Sequence, residues 1–130
     1  MIGYFDGASR GNPGEAGAGA LLLDEGENTI WETARYLGKK TNNEAEYNAA
    51  ILLLTAAKER GVKELKVYGD SKLVVCQLSK QWKINLPHLR ELAKRAWEIS
   101  EGMTVRYEWV PRPKNKRADE LSNEAIDNAK

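Results

Sequence analysis

Cysteine is almost missing from this chain. The one thiol among 130 residues, Cys76, excludes a disulfide framework and a zinc cluster and points to a reducing compartment. Histidine is equally scarce: His88 stands alone near a helix start, so no Ser-His-Asp or Cys-His arrangement can be assembled. Apolar runs are short. Ala18–Leu23 and Ala49–Leu54 fall far below the ~20 residues of a membrane span, and no charged-then-apolar leader precedes the first strand. A net charge of +1 gives the molecule no strong field to steer an anionic polymer. Gly11-Asn12-Pro13-Gly14 lacks a P-loop lysine and no G-x-G-x-x-G opens a helix, which sets aside nucleotide-binding folds of those kinds. Repeats and low-complexity tracts are missing too. The composition, 42% hydrophobic and 30% charged, is that of one globular domain spanning 1–130, expected to be monomeric and cytoplasmic with no membrane partner.

What is present begins with Ile2–Phe5, a short alternating strand that delivers Asp6 into the cluster Gly7, Gly11, Asn12, Pro13 and Gly14. An acid beside a glycine-rich turn is a place for a cation or a phosphate. Residues 16–24 and 29–37 read as two strands of a hairpin, and 43–60 as a helix ended by Gly61. Glu64–Gly69 reads as a fourth strand running into Asp70 and the N-cap Ser71. A helix with Val74, Val75 and Leu78 inward follows, then a break at 84–87 and a third helix to Ser100. Met103–Val110 alternates as a fifth strand, 111–114 is a loop, and Asn115–Ala129 a final helix. The order βββαβααβα predicts an α/β fold with a mixed sheet, three antiparallel strands joined by two parallel ones through helical crossovers. Sites gather at the carboxyl ends of such strands, where Asp6 and Asp70 fall.

Two more acids fall at helix starts that should lie on the same rim. Glu46 reads either way: as the N3 member of a capping box with Asn43, or as a site residue on the stripe Ala50, Leu53, Ala57 that faces the sheet. A carboxylate on that buried face needs a partner such as a cation. Asp119 near the last helix's start has the helix dipole as its ordinary explanation. As a set, four acids converging on one rim repel unless a divalent ion neutralises them, and all-oxygen ligation selects magnesium or manganese over zinc. The basic groups Lys39–Lys40, Lys80–Lys83 and Arg112–Arg117 are ordinary solvated faces unless they border that rim.

Taken together, Asp6-Gly-Ala-Ser-Arg-Gly-Asn-Pro-Gly14, Thr41-Asn-Asn-x-x-Glu46, Tyr68-Gly-Asp70-Ser71 and Asn115-Lys-Arg-Ala-Asp119-Glu-Leu resemble type 1 ribonucleases H, in order and over essentially the whole chain. The resemblance implies a ribonuclease H-like sheet of order 3-2-1-4-5 flanked by helices, with no hybrid-binding domain ahead of Asp6. It implies an endonuclease that hydrolyses the RNA strand of RNA–DNA hybrids and leaves 5′-phosphate and 3′-hydroxyl ends. Asp6, Glu46, Asp70 and Asp119 match the metal-binding catalytic acids, holding two Mg²⁺ ions (or Mn²⁺) about 3.5–4 Å apart. Asp6 would bridge both ions, Asp119 would serve the nucleophile side, and Glu46 with Asp70 the leaving-group side. Ser9, Gly11, Asn12 and Asn42 match contacts to 2′-hydroxyls, the groups that tell RNA from DNA. Thr41 and Asn43 match a pocket for a DNA phosphate. Trp82 matches a residue packed on a deoxyribose, against the plain reading of a half-buried core aromatic.

The chain departs from the family pattern at two places. Many relatives carry a histidine in the loop before the last acid; here Arg112 takes that place, catalytic only through its charge because a guanidinium is no base at neutral pH. The long basic insertion of many relatives is reduced to Gln81-Trp82-Lys83-Ile84, implying weaker and more salt-sensitive binding. Lys72 stands where an amide is usual. A binding module that had lost catalysis would lack one of the acids, and a resolvase or transposase core would lack the TNN and GNPG blocks.

Overall fold

A computed structural model describes residues 1–129. It contains strands β1 (Ile2–Gly11), β2 (Gly14–Leu23), β3 (Thr29–Lys40), β4 (Glu64–Gly69) and β5 (Thr104–Trp109). The helices are α1 (Asn42–Glu59), α2 (Lys72–Leu78), α3 (Pro87–Ile99) and α4 (Lys116–Asp127). The five strands form one mixed sheet, as the element order predicts, in the order β3-β2-β1-β4-β5 that the resemblance implies. β1 pairs antiparallel with β2 and parallel with β4, which pairs parallel with β5.

Helices cover both faces of the sheet. Alternate residues of a strand point to opposite faces, and two small residues show which helix each face receives. A Cβ on Gly7 would overlap the α1 backbone at Ala45 and Glu46; a Cβ on Gly19 would overlap the α4 backbone at Ala118. Gly7 pairs with Ala18, the neighbour of Gly19, so α1 and α4 lie on opposite faces. The larger core lies under α1, α2 and α3 around Phe5, Leu22, Leu53, Leu54, Val67 and Leu89. A smaller one joins Leu21 to Ala118 and Leu121 of α4.

Three local expectations are corrected. β1 does not stop at Phe5; it runs through Asp6 to Gly11, because β2 keeps pairing with it after β4 has diverged. The N-cap of α1 is Thr41, not Asn43. The Thr41 hydroxyl accepts the Glu44 N–H at 3.2 Å and Glu44 accepts the Thr41 N–H at 2.8 Å, so the capping box is Thr41–Glu44 and Glu46 is released from that role. The loop before α4 is a 3₁₀ turn over Arg112–Asn115, which makes Asn115 the residue before α4 rather than its first.

Candidate active site

The parallel pairing of β1 with β4 ends at Phe5 opposite Gly69. One residue further on, each strand carries an acid, Asp6 and Asp70. The divergence of the strands leaves both carboxylates without a sheet neighbour on that side, at the rim foreseen from the sequence. Glu46 arrives from α1. Bare Gly7 lets the first turn of that helix lie on β1, and the Gly7 N–H donates to Glu46 Oε1. Asp6 and Glu46 are buried and Asp70 is half-buried. One carboxylate oxygen from each of the three lies within 4.8 Å of the other two.

Asp119 reaches the same place from the other face of the sheet. It stands outside the tight trio, yet close enough to Asp6 to help raise that carboxyl. Its carboxylate accepts from Arg112 Nη2 at 3.4 Å and Asn123 Nδ2 at 3.3 Å. The four acids, Arg112 and Asn42 all border one open cleft of about 510 Å³.

Burial and like charge dominate the electrostatics. Asp6 is pushed far above the carboxylate range, first by burial and then by Glu46 and Asp70. Burial pushes Glu46 up to about 7, although hydrogen bonds from Asp6 and from the Gly7 N–H hold it down in part. Asp6 and Glu46 titrate as a coupled pair, both held above the ordinary carboxylate range chiefly by burial. Burial also raises Asp70, against hydrogen bonds from Asn115 and Asp6. Among the described residues no lysine or arginine comes within salt-bridge distance of the trio. A converging set of hard oxygen donors that no lysine or arginine pairs directly fits a divalent cation of the magnesium or manganese kind.

The residues matched to substrate contacts fall on the turns beside this cleft. Ser9 Oγ points to Lys40 O at 2.8 Å and to Gly11 O, which leaves its lone pairs to accept from a hydroxyl. Gly11 sits at the β1–β2 turn with φ +112°, a conformation that favours glycine. Asn12 Oδ1 accepts the Asn42 N–H at 3.1 Å and ties this turn to the start of α1. Thr41 and Asn43 lie half-buried at that helix start. Trp82 is not brought into the acidic cleft. It stands 46% exposed in a separate groove with Lys80, Lys83 and Arg90, so it is no core aromatic.

Three polar residues at the site carried no assigned role in the sequence. Asn115, almost fully buried, donates from Nδ2 to Phe5 O at 2.8 Å and pins the peptide preceding Asp6. Arg10 lies in the cleft wall, bonded to Asp127 Oδ1 at 2.6 Å and Asn123 Oδ1 at 3.3 Å. Asn123 bonds Asp119 one helical turn away. Periodicity held the signal for two of them: Arg10 shares a strand face with Asp6, and Asn123 a helix face with Asp119.

The model of the reverse transcriptase-like family matches residues 4–125. A ribonuclease HI of Halobacterium salinarum is 45% identical over 97% of this chain. The chain spans 64% of that protein and 35% of mycobacterial relatives at 44% identity, less than two thirds of their lengths. The crystal structure of ribonuclease H1 from the same halophile superposes with a TM-score of 0.94 at 44% identity, over 98% of this chain and 97% of that one. LC11 ribonuclease H1, solved in complex with an RNA/DNA hybrid, superposes with a TM-score of 0.93 at 41% identity over 98% and 97%. The chain therefore belongs to the reverse transcriptase-like family, in its type 1 ribonuclease H branch.

Proposed function

We propose that this chain is an endoribonuclease that hydrolyses the RNA strand of RNA–DNA hybrids with the help of two divalent cations, Mg²⁺ or in its place Mn²⁺. The observation that carries the reading is the trio of carboxylates within 4.8 Å of one another at the point where β1 and β4 diverge. Asp6, Glu46, Asp70 and Asp119 would hold the ions. Bound there, the cations would lower the pKa of an attacking water and stabilise the departing 3′ oxygen, leaving 5′-phosphate and 3′-hydroxyl ends. The chain's own groups do the rest. Asp6, the acid nearest the meeting point of the others, would help to hold both ions. Asp119, arriving from α4, would orient the attacking water. Glu46, which is buried, and Asp70 would face the leaving group. Arg112, on the rim beside Asp119, steadies the phosphate by its charge.

RNA is told from DNA at the two joined turns. Ser9 accepts from a 2′-hydroxyl, Asn12 and Asn42 offer polar groups to the ribose edge, and the absent side chain of Gly11 lets a sugar come close to the main chain. Thr41 and Asn43 take a phosphate of the DNA strand, and the Trp82 ring with Lys80 and Lys83 a deoxyribose further along. The enzyme acts as a cytoplasmic monomer. Gel assays on hybrid, double-stranded DNA and single-stranded RNA, each with Mg²⁺ or chelator, test this. Mg²⁺-dependent cutting of the hybrid alone is expected; equal cutting of all three, or none of the hybrid, defeats it.

A further inference from the structure

Between α1, α2 and the turn that follows α2, the apolar core is crossed by a line of polar groups. Tyr47, the residue after Glu46, is fully buried, and its hydroxyl donates to Gln77 Oε1 at 2.7 Å. Gln77 on α2, only 5% exposed, donates from Nε2 to Lys83 O at 3.3 Å. A buried polar pair costs desolvation that two aliphatic side chains would avoid, so its use lies in what it joins. One end is the helix that carries Glu46. The other is the segment Ser79–Lys83, which is organised throughout: the Gln81 and Trp82 N–H groups both donate to Cys76 O, at 2.9 and 3.1 Å, and Lys80 holds the left-handed region at φ 65°. This segment presents the exposed Trp82 ring among Lys80, Lys83 and Arg90. An exposed aromatic ring in a groove that also holds three cationic side chains suits a sugar–phosphate backbone.

We infer that the Tyr47–Gln77–Lys83 chain is a positioning device, holding the Trp82 turn at a fixed place relative to the acidic cleft so that a duplex seated on one is in register for the other. The inference rests on the hybrid-nuclease reading. Tyr47 and Gln77 touch no substrate; they act through Trp82 and Lys83.

The test is steady-state kinetics of Tyr47→Phe on two hybrids, one long enough to run from the cleft across the Trp82 turn and one confined to the cleft. Expected is a KM raised about fivefold for the long hybrid only, with kcat and the Mg²⁺ concentration for half-maximal rate unchanged. In a Trp82→Ala background the same substitution should have no further effect on KM. The double variant Tyr47→Phe/Gln77→Met removes both buried partners together, so it should recover most of any lost Tm while KM stays high. A lowered Tm with KM unchanged for both hybrids, an equal rise for both, or a rise that persists without Trp82 overturns the inference. If the wild-type chain cuts no hybrid at all, the nuclease reading has failed and this inference goes with it, a result distinct from the other three.

Discussion

A carboxylate buried against two others, as Asp6 is against Glu46 and Asp70, weakens the metal-free protein at the pH where the site is to work. Asp6→Asn keeps the shape and removes the charge. Hybrid cleavage should fall about 10³-fold or more, while Tm in chelator rises, each kcal/mol gained being worth about 3–5 °C in a domain of this size. Calorimetry and the gel assay on one preparation check both halves; a variant that still cuts hybrid removes Asp6 from the mechanism. Arg112 is a different case. Its side chain is 74% exposed and its contact with Asp119, at 3.4 Å, is long. Arg112→Ala should slow cleavage about tenfold with the shape of the rate–pH profile unaltered, because a guanidinium does not titrate in the working range. A profile that loses one limb would assign Arg112 a proton-transfer role; an unchanged rate would leave it without a catalytic part.

Among the elements, the approach of α1 to β1 decides whether Glu46 reaches Asp6. Gly7→Ala would press a methyl into the Ala45–Glu46 backbone. Overpacking against main chain costs about 1–3 kcal/mol or more, and here the helix that must shift carries a site acid. Expected are a lowered Tm and a raised Mg²⁺ requirement in titrations of hybrid cleavage; a variant with unchanged metal dependence would show that the two elements can separate without disturbing the site. The same contact marks where sequence reading reached its limit. The stripe Glu46, Ala50, Leu53, Ala57 was readable from helical spacing, and all four are buried. The capping box was not. Thr41–Glu44 and Asn43–Glu46 both fit a three-residue spacing, and only the backbone entering α1 chooses between them.

For the whole molecule, the raised carboxyl groups tie stability to pH and metal. An acid whose folded pKa lies above its unfolded value adds stability below the unfolded pKa and loses it as pH climbs through the folded one. Glu46, raised to about 7, and Asp6, raised further, therefore make the metal-free protein lose stability as pH rises from about 5 to 8. Asp24, Glu32 and Glu44 are lowered by hydrogen bonds and work the other way, but only at pH below the ordinary carboxylate range. Calorimetry across about pH 5–8 should show Tm falling in chelator and nearly flat in saturating Mg²⁺. Equal slopes in the two buffers would mean that no cation relieves the cluster.

Sequence alone determined the order of strands and helices and singled out four acids as candidates, because periodicity, turn chemistry and spacing are local properties that survive without coordinates; the sheet order followed from the resemblance to type 1 ribonucleases H. Tertiary structure decided what depends on distances between remote segments. It showed that Asp6 lies within a strand at the point where a neighbour departs, that Glu46 is free of capping, that Asn115 pins the peptide before Asp6, and that the Trp82 turn is tied through Gln77 to the helix of Glu46. Helix approach, burial and the coupled titration of packed acids arise only when elements far apart in the chain are packed together, so no window of residues contains them.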